Sequence, residues 1–137
     1  MSVLHMLDTD TASYILKGRS QVVAQRLAEV PPSSVCISAV TQAELLYGLK
    51  SLPADHRLNR AVEQFLHLLH VLAWDGEAAR WYAEIRHRLK TTGQPIGEMD
   101  TMIAAHAIAT GATLVSNNTR HFGRIEAPLT LVNWTAD

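Results

Sequence analysis

The stretch VLHMLDTD, residues 3–10, joins an apolar run to two carboxylates. Residues 3–7 predict a buried strand, and Asp8 follows at its carboxyl end. The stretch TLVSNN at residues 113–118 repeats this arrangement, with two asparagines just beyond a second strand-like run. Ligands of open α/β sheets bind at the carboxyl ends of the strands. Polar side chains gathered at that edge therefore indicate a binding site.

Strand-like and helix-like runs alternate along the chain, which predicts parallel βα units. Further strands are expected at residues 35–39 and 113–116 and, more weakly, at 129–132. Periodic apolar segments between them predict helices at 11–16, 20–30, 41–50, 55–70, 76–90 and 99–110. Gly111 is expected to cap the last of these helices. The expected fold class is α/β, in three α/β/α layers around a central, mainly parallel sheet.

The overall composition fits one globular domain. The chain has 137 residues, of which 47% are hydrophobic, enough for a single core, so one domain over residues 1–137 is expected. Twelve Lys and Arg face thirteen Asp and Glu, giving a net charge of -1. Binding to nucleic acid would therefore need a local basic patch.

Two features of the sequence bear on where the protein works. Its single cysteine, Cys36, lies in an apolar stretch and leaves no partner for a disulfide within the chain. No apolar stretch reaches the roughly 20 residues of a membrane helix, and no leader-like segment precedes the first strand. We expect a cytoplasmic protein without membrane contact.

Two further acids interrupt apolar helical faces. Asp100 begins the apolar face of the helix at 99–110, and Glu44 lies within that of the helix at 41–50. A carboxylate on a buried face needs protons, hydrogen bonds or a metal to offset its desolvation. Each acid also has a local explanation that stays open: Asp100 would complement a helix amino terminus. Thr41 and Glu44 have the spacing of a capping box.

The turn after the first strand also offers a helix cap. Asp10 or Thr9 is suited to cap a helix that starts near Thr11. Capping explains Asp8 poorly, because that residue extends the strand and is expected to point into the crevice. Carboxylate and amide oxygens are hard ligands that suit Mg²⁺ or Mn²⁺ rather than zinc. Such a cluster favours metal-assisted phosphodiester hydrolysis, in which no nucleophilic side chain is required.

Four motifs occur in order along the chain: LDTD at 7–10, ISAVTQAELLYGL at 37–49, GQPIGEMDTMIAA at 93–105 and LVSNNTRHF at 114–122. Taken together, they resemble the motifs of the PIN-domain ribonucleases and, among them, the VapC-type toxins. The resemblance implies a PIN-like α/β/α domain and an endoribonuclease that depends on Mg²⁺ or Mn²⁺. It also implies cleavage of structured RNA such as tRNA, inhibition of translation, neutralisation by a VapB-type antitoxin, and a homodimer.

The same resemblance assigns the site residues. The family's acidic quartet falls on Asp8, Glu44, Asp100 and Asn118 as catalytic residues, with Asp8 and Asp100 as metal ligands. Many relatives carry Asp where Asn118 stands, so the site loses one negative charge. Supporting polar groups around the ligands are expected from Thr9, Asp10, Ser116 and Asn117. Contacts to RNA phosphates are expected from Arg120 and Arg124.

Two other functions stay open from the sequence. Asn118 in the fourth acidic position would suit a PIN-like scaffold that binds RNA or a partner with weak catalysis or none. The run Asp8-Thr9-Asp10-Thr11 after a strand also resembles the haloacid dehalogenase-like phosphatases, although Ala12 departs from the motif of that family.

Overall fold

A computed structural model describes residues 3–126 and 128–135, and within them five strands form one parallel sheet. The strands are β1 (His5–Leu7), β2 (Val35–Ser38), β3 (His70–Leu72), β4 (Thr113–Val115) and β5 (Thr130–Val132). Their order across the sheet is β3-β2-β1-β4-β5, and every neighbouring pair is parallel. The α/β class and the parallel sheet are thereby confirmed.

Helices cover both faces of the sheet. They are α1 (Thr9–Lys17), α2 (Gln21–Glu29), α3 (Ala39–Leu49), α4 (Arg57–Leu68), α5 (Gly76–Thr91), α6 (Glu98–Thr110) and α7 (Thr119–Phe122). Successive side chains of a strand point to opposite faces. Leu7 of β1 accordingly packs in a core with α1, α2 and α4, while Met6 packs in a second core with α6 and α7. These are the three layers of the expected α/β/α fold.

The predictions of individual elements differ from the structure mainly around β3. The helix expected at 55–70 ends at Leu68, and His70 begins a strand instead. Three residues are too short to carry a period of their own, and β3 is fixed by its pairing with β2. The weak strand at 129–132 is confirmed as β5. Gly111 caps α6 with a φ of 71°, as predicted.

Across the described ranges, every helix is too short or too polar to pass through a membrane.

Candidate active site

The site lies where β1 and β4 end side by side. Leu7 and Val115 are register partners, and the backbone N–H of Asp8 donates to the carbonyl of Val115 at 3.0 Å. Asp8 and Ser116 are thereby the first residues past two adjacent strands. Because parallel strands share one carboxyl edge, the polar residues predicted to gather there do so.

Both carboxylate oxygens of Asp8 are hydrogen-bonded. Oδ1 accepts the Thr11 backbone N–H at 2.8 Å, and Oδ2 accepts the Ser116 hydroxyl at 2.5 Å. Asp8 is therefore the N-cap of α1, and the expectation that Asp10 or Thr9 would cap this helix is wrong. Burial raises the pKa of Asp8, while the hydrogen bonds from Ser116 and Thr11 oppose that rise. Asp8 is only 2% exposed, and its orientation is fixed from two sides.

Glu44 is held by α1. The Thr9 hydroxyl donates to its Oε1 at 2.5 Å, and Thr41 Oγ1 lies 3.3 Å from Thr9 Oγ1. The capping-box explanation is wrong, because α3 starts at Ala39 and its N-cap is Ser38. Thr41 and Glu44 both lie inside the helix, so capping of α3 does not account for Glu44.

Asp100 lies in the first turn of α6, after the N-cap Gly97, and is partly buried. Burial, followed by repulsion from Asp8, Asp10 and Glu44, raises the pKa of Asp100 to about 6, while His121 opposes the rise. A carboxylate that feels three others must lie near them. The local explanation of Asp100 does not compete with the predicted role, because the amino terminus of α6 lies near the other acids.

Asn117 and Asn118 are tied to neighbouring side chains. Asn117 Nδ2 donates to the hydroxyl of Tyr14 at 2.9 Å. Asn118 Nδ2 lies 3.0 Å from Nδ1 of His121, and the Asn118 backbone N–H donates to Ser116 Oγ at 2.9 Å. Ser116 thus connects the asparagine turn to Asp8. No sequence pattern indicates the Tyr14 contact, since 103 residues separate Tyr14 from Asn117.

The two arginines expected to contact RNA differ in their surroundings. Arg120 is exposed on α7. Arg124 Nη1 donates to the Pro95 carbonyl at 3.0 Å, which ties the chain after α7 to the loop before α6. Contact of either residue with RNA stays a prediction.

The donor set at this edge fits a hydrated hard cation. Among residues 3–126 and 128–135, no three His, Cys, Asp or Glu side chains are grouped so that they alone could enclose a metal ion. Mg²⁺ usually keeps several waters and takes only one or two protein carboxylates. Asp8 and Asp100 offer such oxygens, and the repulsion that raises the pKa of Asp100 is one that a bound cation would relieve.

A cleft of about 310 Å³ opens beside the acids, between α1, α3 and α4. Thr9, Asp10 and Glu44 line its polar end, while Leu45 and Val62 are among the apolar residues that line the rest. The edge of the sheet thus has space next to its carboxylates for part of a ligand.

Comparison with known proteins identifies similar chains. Residues 5–128 match the PIN domain family. A tRNA(fMet)-specific endonuclease VapC of Salmonella typhimurium is 39% identical over 88% of this chain and 90% of its own. Ribonuclease VapC2 of Haemophilus influenzae is 37% identical over 95% and 97%. A crystal structure of DNA-bound VapBC from Salmonella typhimurium contains a similar chain, with a TM-score of 0.88, 36% identity and coverage of 96% and 98%.

Proposed function

The chain belongs to the PIN-domain family and, within it, to the VapC ribonucleases, and from this membership we propose how it acts. It is an endoribonuclease toxin that cuts structured RNA such as tRNA, and by doing so it inhibits translation. A VapB-type antitoxin binds and neutralises it. This membership also removes the phosphatase alternative suggested by residues 8–11.

One observation carries the assignment of the site. Asp8, Glu44 and Asp100 come from three separate segments, and the pKa of Asp100 responds to both of the others. Local structure alone gives no reason to hold like charges together at a cost in free energy. A site that binds a divalent cation and a phosphate substrate gives a reason to hold these like charges together.

The roles of the site residues follow from their hydrogen bonds. Asp8 and Asp100 would hold Mg²⁺ or Mn²⁺, which when bound supplies activation of the attacking water and stabilisation of charge on the leaving oxygen. Ser116 and Thr11 keep Asp8 in place. Glu44, fixed by Thr9, orients the attacking water and takes up its proton. Asn118 contributes no charge and supports His121 instead.

RNA is proposed to reach this edge across α7. Arg120 is exposed there and can pair with a phosphate, and the donors that Arg124 does not use toward Pro95 can do the same. We propose the cytoplasm as the place of action, since tRNA is found there, and a homodimer of single PIN domains as the working unit.

The test is cleavage of total tRNA by the purified, antitoxin-free protein, with Mg²⁺ or with EDTA. Discrete fragments are expected with Mg²⁺ only, and Asp8→Ala should yield none. Asp55→Ala is the matched control, because Asp55 is an exposed acid in the turn between α3 and α4. Equal cleavage by Asp8→Ala, or full cleavage in EDTA, would contradict the proposal.

A second candidate rests on Asn118, the neutral residue in the fourth acidic position. Its side chain is an uncharged amide that contacts His121, so it brings no negative charge to the site. Folded protein that binds tRNA but leaves it intact in every condition would favour a binding scaffold.

A further inference from the structure

We propose that Thr41 is a positioning residue, whose buried hydroxyl acts through Thr9 to hold the Glu44 carboxylate for catalysis. The inference rests on the proposed function and deepens it, because Thr41 is not among the site residues that the resemblance assigns. Thr41 is 0% exposed, so it cannot touch RNA or a bound ion itself. Any effect on the reaction must pass through its neighbours.

The direction of the hydrogen bonds follows from the distances. Thr9 Oγ1 lies 2.5 Å from Glu44 Oε1 and 3.3 Å from Thr41 Oγ1. A hydroxyl carries one proton and two lone pairs. The carboxylate is the nearer and stronger acceptor, so Thr9 donates to Glu44. Thr9 is then left as an acceptor, and the Thr41 hydroxyl donates to it.

In the part of the chain that the structure describes, the Thr41 hydroxyl has no hydrogen-bond partner besides Thr9. A buried hydroxyl without a partner loses the hydrogen bonds that it makes to water, which is unfavourable, so the two hydroxyls are held together. It joins the first turn of α1 to the interior of α3, where Thr41 and Glu44 are three residues apart on one helical face.

This arrangement matters because Glu44 has a long and flexible side chain. Holding such a side chain in one rotamer costs conformational entropy, which contacts to the side chain must offset. The two threonines hold Oε1, while Oε2 has no hydrogen bond within residues 3–126 and 128–135 and stays available to the site. The two hydroxyls form a chain of hydrogen bonds that ends at the carboxylate, and each bond in such a chain strengthens the next.

Two substitutions at position 41 separate the hydroxyl from the volume it occupies. Thr41→Val keeps the shape and removes the donor, whereas Thr41→Ser keeps the donor. We expect Thr41→Val to lower kcat for tRNA cleavage by about 10- to 100-fold, as small displacements of catalytic groups do, with KM changed less than about twofold. Thr41→Ser should restore kcat to within about threefold of wild type. Mn²⁺ affinity should be unchanged in both, because Asp8 and Asp100 are untouched.

Ser34→Ala is the matched control for loss of a buried hydroxyl. Ser34 Oγ donates to the Pro31 carbonyl at 2.7 Å before β2, at the opposite edge of the sheet. It should cost stability without changing kcat. Thermal melting of every variant accompanies the kinetics, and Thr41→Ala replaces Thr41→Val if the valine variant does not fold.

A mutant cycle tests the route of the effect. If Thr41 acts only through Thr9 and Glu44, then Thr41→Val should not lower kcat further in a Thr9→Val or Glu44→Gln background. A full additional loss in those backgrounds would mean that Thr41 acts only on the fold, which overturns the inference. Wild-type kcat in Thr41→Val would overturn it as well, while leaving the ribonuclease intact. Absence of RNA cleavage by the wild-type protein would instead remove the proposed function, and the inference with it.

Discussion

Asp100 carries both a structural advantage and a structural cost. Its place in the first turn of α6 favours a negative charge, since the helix amino terminus is positive. Burial and three neighbouring acids act in the opposite sense and raise its pKa to about 6. The opposing effects are larger, so the ionised form of Asp100 destabilises the metal-free protein.

This balance predicts how Asp100→Asn changes stability with pH. From the ordinary value of 3.8 up to about 6 the folded protein holds more protons than the unfolded chain, so stability falls as pH rises through that range. At pH 8 the metal-free variant should be more stable by about 1 kcal/mol, after allowance for solvent screening, or about 2–4 °C in Tm. At pH 5 the gain should shrink.

Thermal denaturation in EDTA at the two pH values measures this effect. Asp55→Asn, at an exposed acid outside the site, should show no such pH-dependent gain. A variant less stable than wild type at pH 8 would show that the favourable interaction of Asp100 with the amino terminus of α6 exceeds the repulsion.

The sequence indicates which acids lie close together at the edge of the sheet. It does not indicate which hydrogen bonds fix the side chain of each acid. Asp8 extends β1 and also caps α1, because one of its oxygens faces the helix and the other faces Ser116. The spacing of Thr41 and Glu44 suggests a local capping box, but the partner they share is Thr9, 32 residues from Thr41 and in α1. Contacts of that kind are set by how helices cross.

Secondary-structure elements that show a clear apolar pattern in the sequence are predictable. Elements too short to show such a pattern, which form through contacts with the rest of the fold, are not. β1, β2 and β4 are apolar runs bounded by polar or turn residues, and their predicted ends lie within two residues of the observed ones. β3 follows α4 with only Leu69 between them, so the apolar pattern continues through both. α7 has four residues, fewer than are needed to show a helical period.

Two glycines near helix ends give predictions of opposite sign for the change in stability. Gly111 caps α6 at a φ of 71°, where alanine is strained, so Gly111→Ala should cost about 1 kcal/mol. Gly48 lies in the last turn of α3 at ordinary φ, and a methyl group added there would meet no atom within 4 Å. Gly48→Ala should therefore stabilise by about 0.5 kcal/mol. Urea denaturation measures the change in stability of each variant. Changes of the same sign would contradict the placement of Gly111 at the end of α6 and of Gly48 within α3.

At the scale of the whole molecule, the acids of the candidate site lie together at one edge of the sheet, although the net charge of the chain is only -1. The fold explains this, because parallel strands bring their carboxyl ends together from distant parts of the sequence. β1 and β4 are over 100 residues apart in the chain yet lie side by side. Alternating strands and helices, with polar residues just after the strands, are enough to predict that edge, whereas the cleft between α1, α3 and α4 depends on how those helices pack.

The most direct test of the account joins metal binding to RNA cleavage in the same preparations. Mn²⁺ is titrated calorimetrically into the metal-free wild type, Asp8→Asn, Asp100→Asn and Asp55→Asn, and each is then assayed on one defined tRNA with Mn²⁺. We predict saturable binding and cleavage for the wild type and Asp55→Asn, and loss of both for Asp8→Asn and Asp100→Asn. Unchanged Mn²⁺ binding and cleavage in the Asp8 and Asp100 variants would contradict the claim that these carboxylates form the active site.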